Sequence, residues 1–243
     1  MWVWPGLSLW LGEAHGGEND PHAHHALQLT FALDGRFRLN TDDELAEGVA
    51  AAAVAPDVTH GFAASGLIAH LFVEPESRSG RGLVDKFLNA ASLTPLSLAG
   101  LDELTAGLQH AWRGADETAL AEAAEQLVGA LAPPPSARLE PDRRVRLAAE
   151  AIALRCQEPL ALDEFARVAG LSASRFRHLF AAETGLPFRN YVLWRRLMRA
   201  VEIWSDGASL TDAAHGAGFA DSSHLSRTFR RMFGQSASTL ELG

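Results

Sequence analysis

Ser174, Arg177 and His178 stand at i, i+3 and i+4, and Phe176, Leu179 and Phe180 occupy the opposite phase. On a helix the polar trio shares one outward face while the apolar residues turn inward. Further on, Ser222, Ser223, Ser226, Arg227 and Arg230 bear the same relation to Leu225 and Phe229, with Arg231 beside them. A guanidinium can donate to both O6 and N7 of guanine, and a serine hydroxyl suits several base edges. The chemistry within reach is therefore recognition of nucleic-acid bases. Arg177 and Arg227, towards the middle of their faces, are expected to read bases. Arg230 and Arg231, near the helix end, are expected to contact phosphate. An exposed arginine alone is usually a solvated residue; these two stand apart because they lie on matching faces of a duplicated pattern.

That duplication defines the elements. Leu162–Gly185 is LDEFARVAGLSASRFRHLFAAETG, and Leu210–Gly234 is LTDAAHGAGFADSSHLSRTFRRMFG. Ala166, Gly170 and Leu171 recur 48 positions later as Ala214, Gly218 and Phe219; Phe176, Phe180 and Gly185 recur 49 later as Leu225, Phe229 and Gly234. Each copy predicts a short helix, a glycine-containing turn and a second helix, the pattern of a helix-turn-helix. Ser172 and Asp221 suit the N-caps of the second helices. Between the copies, Phe188–Trp204 follows Pro187 and predicts a rod about 25 Å long. Such a spacer can hold two recognition helices roughly one DNA turn apart. Arg196 on this rod is expected to be a structural ion-pair partner, and His215 to be packing.

The segment from about Leu160 to Leu240 resembles the AraC/XylS family of bacterial transcription regulators. The residues that carry the resemblance are Tyr191, Arg196, Leu197 and Ala200 on the connecting helix, and GFADSSHLSRTFRRMFGQS over Gly218–Ser236. It implies base-facing residues at Ser174, Arg177 and His178 in the first reader and at Ser222, Ser223, Ser226 and Arg227 in the second. It also implies double-stranded promoter DNA and RNA polymerase as partners, a homodimer, and a cupin-like sensing domain ahead of the DNA-binding part. Two departures stand out: His178 replaces the family's common arginine, and after Ser236 the usual Pro and Tyr-Arg are missing.

A second constellation lies near the N-terminus. His22, His24, His25 and Gln28 are followed by Gly35, and Pro56 by His60. The spacing resembles the first cupin motif, with Gln28 where metal-binding cupins carry Glu and with the second motif reduced to Pro56 and His60. On a strand, positions 22, 24 and 28 point to one side and can converge in a barrel mouth. His22, His24, Gln28 and His60 are therefore expected to line a pocket for a small-molecule effector, with no cofactor. A divalent metal on the same four side chains is the alternative, since imidazole suits zinc, copper, iron and nickel. Parity sets a condition: if these face inward, Leu27, Leu29, Phe31 and Leu33 face the other way and need a cover or a bulge.

Composition sets the frame. The chain has 243 residues, 47% hydrophobic and 21% charged, which suits two globular domains. Cys156 is the single cysteine, so no disulfide framework or cysteine zinc site is expected. The N-terminus has no basic region or cleavage site of a signal peptide, and no apolar run reaches membrane length. The expected location is cytoplasmic. Net charge is −9, but residues 1–135 carry 6 basic and 18 acidic groups (−12), and residues 136–243 carry 15 and 12 (+3). DNA would attract the second part and repel the first.

The expected organisation is a cupin-like β-barrel over 1–78, amphipathic helices over 79–131 for support and dimerisation, a proline-rich linker over 132–141, and a tandem helix-turn-helix domain over 142–243. The fold class is thus α+β and multidomain. Runs at Val3–Leu11, Leu27–Leu33, Arg36–Asn40, Val49–Ala55 and Leu67–Val73 predict the strands, with Asp34-Gly35 as a hairpin turn. The function expected is a one-component transcriptional regulator and not an enzyme. Its rivals are a metal-dependent cupin enzyme, an oxygenase or isomerase with a helical appendage, and a DNA-binding protein whose barrel only dimerises.

Overall fold

A computed structural model describes residues 1–97, 100–134 and 140–237. The chain divides into two compact units, Met1–Leu139 and Glu140–Gly243. Half of the expected proline-rich linker, residues 135–139, lies outside the described residues, as does the departure from the family pattern at 238–243. Among the described residues no helix is long and apolar enough to cross a membrane.

The first unit contains eight described strands: β1 (Trp2–Trp4), β2 (Leu7–Glu18), β3 (Leu27–Ala32), β4 (Arg36–Thr41), β5 (Leu45–Val49), β6 (Ala51–Val54), β7 (His60–Val73) and β8 (Leu93–Pro95). Its helices are α1 (Arg78–Phe87), α2 (Leu101–Arg113) and α3 (Glu117–Leu131). The strand order is β1-β2-β7-β3-β6-β8, with β4 joined to β7 and β5 to β4. The long strand β7 pairs with β2 on one side. On its other side lie β3, along Ile68–Val73, and β4, along His60–Ser65.

That pairing corrects the expected hairpin at Asp34-Gly35. β3 and β4 do not pair with each other; they run on along one edge of β7, and the chain between them bends. Gly35 has φ +80° and Gly66 of β7, opposite it, has φ +94°. A Cβ on either would come within 2.6–2.7 Å of a carbonyl oxygen across the bend, Ser65 O or Asp34 O. Glycine at both places lets the two strands bend together.

The expected barrel is also corrected: the sheet is not closed. No ladder joins β8 to β5 or β4. β8 is three residues long and ends at Pro95, which has no N–H to donate. The amides that could extend a ladder are already engaged, because the Glu44 carboxylate accepts from Ser92 N at 2.8 Å and Leu93 N at 2.7 Å. It also accepts from the Ser92 hydroxyl. One side chain thus straps the gap. β8 lies within the stretch expected to be wholly helical.

Parity sorts the sheet as the apolar alternation predicts. Leu29 and Phe31 of β3, Ala69 and Leu71 of β7, and Leu9 and Leu11 of β2 lie in register and pack with Leu83, Leu108, Leu120, Leu127 and Leu131 of the three helices. Each buried leucine or phenylalanine among them contributes about 1.5–3 kcal/mol. The helices are the cover that the inward histidines require.

The second unit is helical: α4 (Arg143–Arg155), α5 (Leu162–Val168), α6 (Ala173–Thr184), α7 (Phe188–Ser205), α8 (Leu210–Gly216) and α9 (Ser222–Phe233). Phe176 and Phe180 of α6 pack with Phe165, Phe188 and Tyr191. Phe229 and Phe233 of α9 meet Trp204 and Trp194 of α7. The connecting rod α7 therefore contributes aromatic side chains to both halves.

Candidate nucleic-acid interface and a buried histidine cluster

The two sequence copies fold into two matching motifs. In the first, Gly170 (φ +66°) turns the chain after α5, and Leu171 N donates to Ala166 O at 2.9 Å. In the second, Gly218 (φ +80°) follows α8, and Phe219 N donates to Ala214 O at 2.9 Å. The Ser172 hydroxyl accepts from Arg175 N to cap α6, and the Asp221 carboxylate accepts from His224 N at 2.7 Å to cap α9. Gly185 and Gly234, both left-handed, end the two helices. Ala220 is the residue inserted between turn and cap that changes the offset from 48 to 49.

On α6, Ser174, Arg177 and His178 are all exposed. On α9, Ser223, Arg227, Arg230 and Arg231 are exposed, whereas Ser222 and Ser226 are half-buried. The Ser226 hydroxyl donates to Ser222 O at 2.8 Å, so its proton is spent on its own helix. Alignment on the caps shows the two outer faces to be unlike. Ser174 matches Ser223, but Arg177 matches Ser226, and His178 matches Arg227. Arg230 and Arg231 match Ala181 and Ala182. The two arginines expected to read bases share a face yet sit one position apart.

Elsewhere in this unit four arginines are neutralised. Arg144 pairs with Asp142, Arg146 with Glu150, Arg155 with Glu158 and Glu164, and Arg199 with Glu202. Arg177 and Arg227 make no ion pair or hydrogen bond with another described residue. Arg196 is structural, as expected, but its partners are carbonyls: Nε donates to Cys156 O at 2.6 Å and Nη2 to Glu158 O at 2.9 Å, just past the end of α4. The expectation for His215 fails, since it is exposed at the end of α8.

In the first unit His22, His24, Gln28 and His60 converge on the sheet face turned away from the helices. One ring nitrogen of each histidine lies within 4.8 Å of the others. All four side chains belong to residues 1–6 % exposed. His22 and His60 face each other across a bridge, with backbone hydrogen bonds of 2.9 and 3.0 Å. Each Nδ1 lies beside a carbonyl oxygen two residues away: Asp20 O at 2.9 Å, Ala26 O at 3.0 Å and Val58 O at 2.9 Å. Gln28 Oε1 is 2.9 Å from His24 Nε2 and 3.3 Å from His60 Nε2. Burial pushes His24 down to about 3 and His60 to about 2, and it lowers His22. These imidazoles are neutral at pH 7.

Two neighbouring histidines were given no role in the sequence reading. His70 pairs in register with Thr30, whose hydroxyl is 3.0 Å from its Nδ1. Burial lowers it to about 3. Its parity on β7, shared with Phe72 and opposite to Leu71, was the available signal. His25 lies between Asp57 and Glu76, at 3.5 and 3.3 Å. Burial opposes its charge, but these two carboxylates outweigh burial and raise its pKa. Only the fold brings positions 25, 57 and 76 together.

With this geometry in view, comparison with known proteins is informative. A family model described as a helix-turn-helix domain matches residues 165–241. The HTH-type transcriptional regulator RipA of Corynebacterium glutamicum is 30% identical over 109 residues, which cover 45% of this chain and 33% of that protein. The virulence regulon transcriptional activator VirF of Yersinia enterocolitica is 33% identical over 82 residues, 33% of this chain and 30% of that protein. The chain spans about a third of the length of these curated relatives. ToxT from Vibrio cholerae O395 shares the fold over 97% of both chains, with a TM-score of 0.61 and 10% identity. A structure of ToxT with unsaturated fatty acid bound gives a TM-score of 0.57 and 9% identity, over 96% of this chain and 93% of that one. The class is thus a two-part fold like that of ToxT, a sheet-rich unit followed by a helical one. Residues 165–241 are similar to a helix-turn-helix domain of transcriptional regulators.

Proposed function

We propose that the chain is a one-component transcriptional regulator. Residues 142–243 bind double-stranded promoter DNA, with α6 and α9 entering successive major-groove segments. Ser174, Arg177 and His178 contact bases from the first helix, and Ser222, Ser223, Ser226 and Arg227 from the second. Arg230 and Arg231 hold phosphate. Residues 1–78 sense a small ligand at His22, His24, Gln28 and His60, and the helices of 79–131 support a homodimer. RNA polymerase is the further partner. The observation that carries this reading is the pair of equivalently capped motifs whose outer faces present unengaged Arg177 and Arg227. ToxT, which shares the fold, has been solved with a fatty acid bound, and that supports ligand control.

The test is binding of the 243-residue chain to genomic DNA fragments. Specific sites should outcompete random DNA by about a thousandfold or more, with affinity falling steeply as salt rises. Equal affinity for all fragments would refute the reading.

A further inference from the structure

Beyond the cluster of His22, His24, Gln28 and His60, β7 carries His70, in register with Thr30 on β3 and with Trp10 on β2. His70 is half-buried, whereas Thr30 is 0 % exposed and Gln28 2 %. Its two ring nitrogens differ. Nδ1 is 3.0 Å from Thr30 Oγ1 and 3.4 Å from Gln28 Nε2. Nε2 makes no hydrogen bond with another described residue.

The neighbours decide which nitrogen holds the proton. Gln28 Nε2 donates to Thr30 Oγ1 at 2.9 Å. The proton of the Thr30 hydroxyl then has one acceptor in reach among the described residues, His70 Nδ1. A hydroxyl donor in a fully buried residue is costly to leave unmatched. The Gln28 amide nitrogen, a second donor, lies on the same side of the ring. Nδ1 therefore accepts, and the one proton of the neutral imidazole is on Nε2. Burial lowers His70 to about 3, so the ring is neutral at pH 7. The relay from Gln28 through Thr30 to His70 ends in an N–H donor that no described residue accepts from.

The surroundings set the class of acceptor. The Phe62 ring lies edge-on to His70 at 4.6 Å, and the Phe72 ring stacks on it at 6.1 Å. Phe72 in turn meets Trp10 edge-on at 5.5 Å. Such walls suit a flat apolar body. Among the described residues no lysine or arginine is buried. An anion on this face would lie beside neutral imidazoles without a counter-charge, at a high desolvation cost.

We propose that His70 Nε2–H anchors the carbonyl oxygen of an uncharged, flat, mostly apolar effector whose body lies against the rings of Phe62 and Phe72. This deepens the proposed function by naming the effector's chemical class, and rests on that reading only for the regulatory consequence.

The test uses the 243-residue chain with its histidines labelled with nitrogen-15, so that nuclear magnetic resonance reports both the His70 tautomer and probe binding. The probes are acetophenone, α-methylstyrene, which carries CH2 in place of the carbonyl oxygen, and benzoate. The Nε2–H form of His70 is expected, with acetophenone bound more tightly than benzoate. The preference for acetophenone over α-methylstyrene should fall by about tenfold in His70→Phe, the worth of one hydrogen bond. Thr30→Val keeps the shape and breaks the relay; it should mix the His70 tautomers and lose part of the same preference, and it carries the test if His70→Phe fails to fold. An Nδ1–H tautomer in the wild type, no binding of either uncharged probe, tighter binding of benzoate, or an unchanged preference in the folded variants each overturns the proposal. DNA binding is measured on the same samples. Specific DNA binding without probe binding removes this site alone, and probe binding without specific DNA binding removes the regulator reading alone.

Discussion

Arg177 and Arg227 are exposed and unengaged, so their removal should leave the fold intact and show up only on DNA. Arg177→Ala and Arg227→Ala are each expected to cost about 1–3 kcal/mol at one base pair and to relax preference there, as read by a binding-site selection. Unchanged preference in both would mean that other side chains are the readers. Arg230→Ala and Arg231→Ala should instead weaken all sequences alike and reduce the salt slope by about one each. Single residues were legible in the sequence where periodicity alone decides their direction, as for Phe176 or Arg177. They were less so where a hydrogen bond decides their role. Ser226 returns its proton to Ser222 O, and Arg196 holds carbonyls where a carboxylate was expected; neither follows from spacing.

At the scale of elements, the two turns invite a comparison. Gly170 and Gly218 are equivalent and both have positive φ, but a Cβ on Gly170 would meet nothing within 4 Å. On Gly218 it would lie 2.7 Å from Gln157 Cα and O, backbone that cannot swing aside. Gly170→Ala should therefore cost about 1 kcal/mol, the conformational term alone. Gly218→Ala should cost clearly more, measured as the difference in thermal midpoint; equal costs would show that the second turn is not packed as described. The helices of the second unit were legible because caps, glycines and apolar spacing agree. The bend between β3 and β4 was not. Asp34-Gly35 has the composition of a hairpin turn, and only the facing Gly66, 31 positions away, makes it a kink along one partner strand.

At the scale of the molecule, the charge division between −12 and +3 favours the second part of the chain for the proposed DNA binding. A fragment of residues 138–243 should fold and bind promoter DNA at low salt, with affinity that falls steeply as salt rises. A folded fragment with no affinity would place part of the interface elsewhere. The open sheet was not legible, because closure depends on whether distant edges meet. Here Glu44 takes the amides of Ser92 and Leu93 before a strand can. The extra residue Ala220 and the staggered arginines carry a consequence for the target. Two identical readers in tandem would fit a repeated word about equally well when slipped by one reader. On the proposed reading, with Arg177 opposite Ser226, His178 opposite Arg227, and basic residues closing only the second helix, the two words are expected to differ and their order to be fixed by the chain. A single polypeptide is then expected to give its operator a direction. It can distinguish the site from its own reversal, and so can point along the DNA without borrowing that asymmetry from a second subunit.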